Sequence, residues 1–586
     1  MKNRELASMF ETMADVMEIQ GANQFRVNSY RKVARVLGDL TEDIETVAEE
    51  GRLDELSGVG SSSAEKIQQY LEEGRMDRYE EVMSDFPEDA LEMLQIPGLG
   101  PKTVARFIKE KDIESLDELD EALEDGRLEG MEGLGEKTFE NIKKGIRMVR
   151  EQRGRTKLGT ALPIAREIIE KLKDRCDISR AEAAGSLRRR KETVGDVDIL
   201  VTTGAAEAGE EADEEEIPGG KEIIEEFTAL DMVDEVVAAG QTKGTVRTTE
   251  GLQVDVRVVR PESFGAALQY FTGSKAHNVH IRGIAVDREL KINEYGVFKG
   301  DERLAGETEE EVYDALDLPW IPPELREDRG EVEAAAEGNL PTLITAEDLR
   351  GDFHAHTTYS DGAASVLEMA KAAKKMGYEF LGLTDHSVSL SVTQGPDEEG
   401  LKRKKEEIEK ALEELDGFTI LAGSEVDIFK DGSLDYNEDI LANLDLVIAA
   451  VHTHFGLAEK EMTERIVKAV SDPHVDILAH PTGRLINERE PYEVDMTAVV
   501  EACAEHGVAL ELNSFPDRLD ITDTVCRQAK EAGAKVAMGT DSHHPSHLQW
   551  VQVGLGTARR GWLEPDDVLN CMSANDLLDY LSRDRD

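Results

Sequence analysis

The chain is short of positive charge. Its 586 residues carry 68 Lys and Arg against 124 Asp and Glu, a formal net charge of −56 and a pI near 4.6. So acidic a protein ordinarily argues against nucleic acid, because phosphate binding draws on Lys and Arg. Disorder, a polycationic partner and adaptation to high salt compete as explanations. Disorder fits badly: 40% of residues are hydrophobic, and periodic apolar segments run almost throughout. The acidity is also spread along the chain instead of gathered in a tail. At about 1 M salt the screening length is roughly 3 Å, so repulsion between surface carboxylates nearly vanishes. We read the acidity as a statement about a salt-rich solvent, not about the partner.

Cysteine is scarce too. Cys176, Cys503, Cys526 and Cys571 show no paired spacing, so neither a disulfide framework nor a cysteine-type zinc site is indicated. No apolar stretch is long enough to span a bilayer, and Met1-Lys2-Asn3-Arg4-Glu5 has no signal-like apolar core. A cytoplasmic protein of several domains, without a membrane partner, is expected.

What the chain has in quantity is histidine in one place. Eleven of the thirteen follow residue 350, most where a strand would end. The series opens at Asp352-Phe353-His354-Ala355-His356 and closes at Gly539-Thr540-Asp541-Ser542-His543. Thr384-Asp385-His386, Ser424-Glu425, Val451-His452-Thr453-His454 and Ala479-His480-Pro481 lie between. Strand-like apolar runs fall at 349–353, 380–383, 418–421, 444–451, 475–478, 508–512 and 535–538, with helical segments between most of them. Seven alternating units predict a barrel of parallel strands whose site lies at the strands' C-terminal ends. Six runs end in a His or acidic candidate ligand; the sixth in order ends in Asn513-Ser514. A lone histidine in an apolar setting is usually a satisfied core residue, but that does not explain regular placement at strand ends. Neutral imidazole with carboxylate suits zinc, manganese or iron.

Residues 1–150 read as short amphipathic helices punctuated by one recurring element. Leu56-Ser57-Gly58-Val59-Gly60, Ile96-Pro97-Gly98-Leu99-Gly100 and Met131-Glu132-Gly133-Leu134-Gly135 each precede a helical stretch, with Lys66, Lys102 or Lys137 following. This is the pattern of helix-hairpin-helix elements. Glycine permits a tight turn and close backbone approach, and the next helix's free N–H groups suit a phosphate. Such contacts position a duplex without reading its sequence. A turn that merely needs glycine explains one copy better than three.

Residues 155–325 alternate helix and strand, with a helix expected over 163–173 and strands over 178–184, 194–201 and 252–259. The stretch 205–216 is almost wholly small and acidic and reads as an exposed insertion. Asp196 and Asp198, two apart on a strand, share a face, and Asp255 would join them from a neighbouring strand. Three carboxylates suit two Mg²⁺ (or Mn²⁺) ions shared with substrate phosphates. One ion would lower the pKa of an attacking hydroxyl and the other steady a leaving pyrophosphate, roughly 3.5–4 Å apart. Alone, Asp-x-Asp on a strand is usually a solvated edge.

Its context is more specific. Gly185-Ser186-Leu187-Arg188-Arg189 followed by Gly195-Asp196-Val197-Asp198 resembles the nucleotidyltransferase signature, and more narrowly the family X DNA polymerases. The likeness continues through Tyr270-Phe271-Thr272-Gly273-Ser274, Asn278, Arg282 and Ile292-Asn293-Glu294-Tyr295. The resemblance implies repair synthesis, base excision repair included, from dNTPs on gapped or nicked DNA. By it, Ser186 and Arg189 would bind the nucleotide's terminal phosphates, with Gly185, Gly195 and Gly273 in the same nucleotide-binding set. Tyr270 and Phe271 would crowd the sugar's 2′ position, and Asn278 and Arg282 would contact the nascent pair and template. Arg257 would orient Asp255. Some relatives carry a Schiff-base lyase lysine, and Lys66 falls at the matching spacing. Ser62 stands where a supporting lysine would be, however, and a solvated helix lysine is the stronger reading.

The last block resembles the PHP domain, named for polymerase and histidinol phosphatase. The resemblance implies a distorted (β/α)7 barrel with a trinuclear Mn²⁺, Zn²⁺ or Fe²⁺ centre. Its nine ligands carry over onto His354, His356, Asp361, His386, Glu425, His452, His480, Asp541 and His543. His454 and His544 are expected as supporting residues, His474, His506 and His547 as surface or packing residues, and Arg484 as an added phosphate contact.

The expected order is a helix-hairpin-helix DNA-binding region over 1–150 (all-α, lyase-like plus fingers) and an α+β nucleotidyltransferase palm with a nucleotide-selection subdomain over 151–325. A linker over 326–345 and the PHP phosphoesterase over 346–586 follow. We expect a monomeric gap-filling polymerase with 3′–5′ exonuclease or 3′-end processing, from a halophilic archaeon. The rivals are a nucleotidyltransferase acting on RNA or a small molecule, a small-phosphoester phosphatase, and a DNA-binding scaffold with inactive sites.

Overall fold

Parallel strands covered on both faces are near-continuously apolar, and the runs after residue 350 have that character. The computed structural model describes the chain outside residues 1, 41–43, 50, 57, 85, 97–98, 129–130, 132–134, 153–154, 205–216, 390–394 and 583–586. All seven runs are strands: Gly351–Ala355, Phe380–Leu383, Thr419–Asp427, Leu446–Ala450, Ile477–Leu478, Ala509–Asn513 and Val536–Gly539. Each pairs in parallel with the next, and a parallel bridge from Ala355 to Ser542 brings the last back to the first. The result is the nearly closed seven-stranded barrel that the spacing predicts.

Alternation decides what lines it. Leu381, Leu383, Ile420, Ala422, Val447, Ala449, Leu510 and Leu512 pack with the surrounding helices in one apolar cluster. Phe380, Leu421, Ile448, Ala509 and Ala537, of the other parity, meet in a second. Continuing that second parity by twos gives Leu421-Gly423-Glu425, Ile448-Ala450-His452, Ala509-Glu511-Asn513 and Ala537-Gly539-Asp541. The faces that are apolar low in the barrel thus become ligand-bearing at the C-terminal ends, as residues i and i+2 on a strand must.

The preceding region is a five-stranded sheet in spatial order Ile178–Ala183, Asp196–Thr203, Gln253–Val258, Lys243–Thr248, Val233–Ala239. The strands at 233–239 and 243–248 were not foreseen. Helices Leu158–Arg175 and Gly220–Thr228 contribute Leu158, Ile168, Leu172, Ile223 and Phe227 to its core. That core also takes in Ile486, Leu519 and Val553 from the barrel region. Sheet and barrel are accordingly one compact unit, Gly154–Ile486 with Pro491–Asp586. Residues 326–345 connect the two but do not hang free: Arg326 and Glu331 are fully buried, and Val332, Ala335 and Leu343 pack with Ile321 and Leu325.

The helical unit, Met1–Arg153 grouped with Asn487–Glu490, has its own core around Phe10, Met13, Val33, Ile67, Val104, Phe107 and Leu119. Helices Ser61–Glu73 and Pro101–Lys111 start after Gly60 and Gly100. The acidic stretch 205–216, together with Gly98 and Gly133, lies outside the described residues. No helix among the described residues is long and apolar enough to cross a membrane.

Candidate active sites

In the sheet, Asp198 and Asp255 stand opposite each other in the parallel register of Asp196–Thr203 and Gln253–Val258, with Asp196 two residues away on the same face. Gly185, at φ +62, approaches so closely that an added Cβ would lie 3.2 Å from an Asp198 oxygen. Burial pushes the Asp198 carboxyl up to about 6, with the charges of Asp196 and Asp255 adding to it. A buried carboxyl whose ionisation is opposed by two neighbouring acids favours a cation beside it. Asp255 is held by the Thr245 hydroxyl, which donates to its Oδ1, and by Lys243 at 3.6 Å. Both partners sit on a strand that sequence reasoning did not place. Arg257 does not take the orienting role expected of it; its guanidinium lies over the Phe271 ring, 4.5 Å from the centroid.

Tyr270 and Phe271 end the helix Phe264–Thr272 edge to face, 5.2 Å apart. Asn278 is buried, accepting from Gln269 at 2.6 Å and donating to the Tyr270 carbonyl at 2.8 Å. Arg282 donates to the Asn278 carbonyl at 2.9 Å and reaches over the Tyr270 ring. Arg189 lies beside Gly273, where an added Cβ would come within 3.3 Å of its Nη1. Asn278, Arg282 and Arg189 therefore converge on the segment 270–273.

At the barrel's C-terminal end the nine expected ligands come together. His356, Asp361, His386 and His543 form one group with metal-ligand spacing, His354, His356 and Asp541 a second, and His386, Glu425 and His452 a third. His480 Nε2 lies 2.8 Å from Glu425 Oε1. Glu425 Oε2 and His386 Nδ1 are only 2.8 Å apart, yet both are buried without a hydrogen bond. Side chains that approach one another and do not bond are arranged as ligands around a common ion. Burial, with neighbouring His543 and His386, pushes the His356 imidazole down to about 4, so it is neutral and able to ligate near neutral pH.

Behind the ligands stand two carboxylates the sequence reading passed over. Glu511 accepts from His354 Nδ1 at 2.6 Å and from the His480 backbone N–H at 2.7 Å. Asp427 meets His452 Nδ1 at 2.5 Å. Each fixes a ring so that its other nitrogen is turned toward the ligand cluster, where it would bind an ion. Both were within reach of parity, since Glu511 and Asn513, like Glu425 and Asp427, share one face of one strand.

The comparisons with known proteins agree with this geometry. The helical unit matches a helix-hairpin-helix domain over residues 1–76 and a SAM-like helix-hairpin-helix tandem over 90–148. Residues 267–327 match the DNA polymerase beta thumb, and 352–515 the PHP domain. Over 587 aligned residues, covering all of both chains, the protein is 38% identical to the DNA polymerase/3′-5′ exonuclease PolX of Bacillus subtilis (strain 168). The chain belongs to the PHP-bearing family X DNA polymerases.

The barrel alone is 31% identical to a probable phosphatase of Thermoanaerobacter sp. (strain X514), covering 37% of this chain and 89% of that protein. It is equally 31% identical to the probable phosphatase YcdX of Escherichia coli (strain K12), covering 39% and 93%. Within this family X chain, three expectations besides that for Arg257 need correction. Arg484 is not at the metal pocket: it pairs with Glu192 of the sheet region at 2.8 Å and donates to the Leu519 carbonyl. His454 is exposed, its Nδ1 against its neighbour Thr453. His544 caps the short helix Pro545–Trp550. Neither stands behind a ligand.

Among the helix-hairpin-helix glycines, Gly58 needs its φ of +109 and lies against the Lys32 side chain. Gly60, Gly100 and Gly135 have no such internal reason; an added Cβ would meet open space. Lys102 is exposed one residue into its helix. Lys66 Nζ donates to the Ser62 carbonyl at 2.6 Å and hydroxyl at 2.8 Å.

Proposed function

We propose that this protein is a repair-type DNA polymerase that fills short gaps, with a metal-dependent 3′–5′ exonuclease in its PHP barrel. One observation carries the reading: the Asp198–Asp255 register and a cluster of eight of the expected ligands, with His480 beside Glu425 as the ninth, lie in one compact unit. The scaffold rival needs a missing ligand. The RNA or small-molecule rival is opposed by the helix-hairpin-helix and thumb regions.

In the polymerase site, Asp196, Asp198 and Asp255 would hold Mg²⁺ or Mn²⁺, which on binding supplies charge neutralisation for phosphoryl transfer. Ser186 and Arg189, with Gly185, Gly195 and Gly273, would receive the triphosphate. Tyr270 and Phe271 would exclude a 2′-hydroxyl, and Asn278 and Arg282 would follow the nascent pair and template. In the barrel, His354, His356, Asp361, His386, Glu425, His452, His480, Asp541 and His543 would hold a trinuclear centre, with Mn²⁺ the favoured ion over Zn²⁺ or Fe²⁺. The open backbone at Gly60, Gly100 and Gly135, with Lys102, supports DNA contacts that do not depend on a basic surface. The boundaries at 150, 325 and 345, action in base excision repair as a monomer, and a high-salt host such as a halophilic archaeon belong to the same reading. The net charge supports the last of these. At Lys66 the tie to Ser62 favours a solvated helix lysine over a lyase nucleophile.

A labelled gapped primer–template incubated with the protein and Mn²⁺, with and without dNTPs, tests it. Extension with nucleotides and shortening without them are expected. Hydrolysis of small phosphomonoesters with neither change in the primer would refute it.

A further inference from the structure

The carboxylate of Glu327 is shared between the polymerase site and the barrel. Its Oε1 accepts from Arg189 Nε at 3.0 Å and from Arg560 Nη1 at 2.9 Å. Arg560 ends the barrel-region helix Val551–Arg560, and the same Nη1 donates to the Arg189 carbonyl at 2.9 Å. Its Nη2 reaches Asp523 at 2.7 Å, and Asp523 also accepts from Arg329 at 3.1 Å. The helix is seated closely: an added Cβ at Gly556 would lie 2.7 Å from the Cβ of Arg190.

The network is largely dry, with side-chain exposures of 13% for Arg189, 12% for Glu327 and 3% for Arg560. Burial opposes ionisation of Glu327, but Arg189 and Arg560 hold its carboxyl below the usual range. Arg189 Nη1 donates to the Thr272 carbonyl. A guanidinium has five donor hydrogens in a fixed plane. With Nε on Glu327 and Nη1 on Thr272, the plane is set and the Nη2 edge is left for a ligand. The neighbouring Arg188 is used otherwise, bound by both terminal nitrogens to the buried Glu309 at 2.7 and 2.8 Å.

We propose that Glu327 and Arg560 are positioning residues for the incoming nucleotide: the barrel, through Arg560, fixes the carboxylate that aims Arg189 at the triphosphate. This rests on the reading of Arg189 as a phosphate ligand. Docking of the exonuclease barrel is then part of the polymerase's nucleotide site, and synthesis depends on a residue that takes no part in exonuclease chemistry.

The test uses the full chain in single-nucleotide gap filling with Mg²⁺, measuring KM and kcat for dNTP, and excision without dNTP. The variants are Arg189→Met, Glu327→Gln, Arg560→Met and Arg560→Lys. Glu327→Gln and Arg560→Met are expected to raise the dNTP KM about tenfold, the scale of one charge-assisted hydrogen bond. Both kcat and excision should stay within about twofold, and Arg560→Lys, which keeps a donor, should recover part of the loss. A raised KM in Arg189→Met alone would overturn the positioning role and leave Arg189 a phosphate ligand. An unchanged KM in Arg189→Met would overturn the nucleotide-site reading itself. Synthesis and excision falling together in Arg560→Met, without rescue by lysine, would reduce Arg560 to a structural brace.

Discussion

Replacing Glu511 by glutamine is expected to cripple excision and leave synthesis intact. The carboxylate is 1% exposed and accepts two hydrogen bonds, from His354 Nδ1 at 2.6 Å and from the His480 N–H at 2.7 Å. It thereby holds the proton of His354 on Nδ1. An ion then has to displace only the proton on Nε2, which lies 3.1 Å from His356 Nε2 and 3.7 Å from Asp541; without metal the neighbouring carboxylates overcome burial and hold this imidazole well above its ordinary range. A glutamine of the same shape has one acceptor and one donor end. If its oxygen serves His354, its NH₂ confronts the His480 N–H. Reversed, the NH₂ donates to Nδ1 and drives the proton onto Nε2, where it blocks ligation. Loss of a carboxylate behind a ligand histidine typically costs about 10–100-fold in metal affinity or activity, or roughly 1.4–2.8 kcal/mol. The assay is shortening of a labelled single strand across a Mn²⁺ titration, with gap filling as the internal control. Excision should fall by about that factor at limiting Mn²⁺ and partly recover in excess. Wild-type excision at every Mn²⁺ concentration would refute the argument.

Asp196→Ala or Asp198→Ala should abolish primer extension and spare excision, and His354→Ala should do the reverse; loss of both activities in one folded variant would defeat the two-site assignment. Tyr270 and Phe271 should enforce deoxynucleotide preference in Mg²⁺ on a gapped template, so equal use of ribonucleotides would remove their assigned role. Because the Asp198 carboxyl sits near 6, above its unfolded value, folded metal-free protein loses stability as pH rises from about 4 through 6, by roughly 3 kcal/mol. Mg²⁺ can offset that cost only where Asp198 is ionised, so its gain in Tm should be larger at pH 8 than at pH 5, and Asp198→Asn should erase the difference. Folding, DNA binding and synthesis should improve as KCl rises toward the molar range; loss of binding above a few hundred millimolar, as for a basic polymerase, would sink the high-salt reading.

The barrel was legible because two independent periodicities coincide. Apolar runs mark the strands, and a ligand-type residue closes six of them, so the pattern alone places His354, His386, Glu425, His452, His480 and Asp541 at strand ends. What stayed hidden was whatever needs two strands or two regions at once. Thr245 and Lys243 hold Asp255 from a strand whose neighbour, Val233–Ala239, is exposed along most of its length and gives no clean alternation. Glu511 lies inside its strand and not at its end, so the strand-end pattern does not mark it, although it shares a face with Asn513. Arg484 was misplaced for a different reason. It follows His480 by four residues, but Gly483 turns the chain at φ +61 and the side chain runs, buried, to Glu192 and the Leu519 carbonyl. Local sequence cannot say which of two surfaces a loop arginine will meet.

The charge and the architecture constrain each other. If the protein works in concentrated salt, exposed ion pairs between sheet and barrel contribute little, since screening acts first on what water reaches. Lys157–Asp517 at 2.7 Å and Arg484–Glu192 at 2.8 Å are half of that kind: their carboxylates are 42% and 45% exposed, while the lysine and arginine side chains are 19% and 10% exposed. What survives is the apolar contact of Ile486, Leu519 and Val553 with the sheet's own core, together with the dry Arg560–Glu327–Arg189 network. A surface free to become acidic therefore implies an interface that is not held by surface charge. The same division applies to DNA. With 124 acidic residues against 68 basic ones, on the proposed reading the duplex is held by backbone N–H groups at helix starts instead of by a basic face. Arg189, assigned in the same reading to the triphosphate and not to the duplex, likewise has its guanidinium fixed by Glu327 and the Thr272 carbonyl.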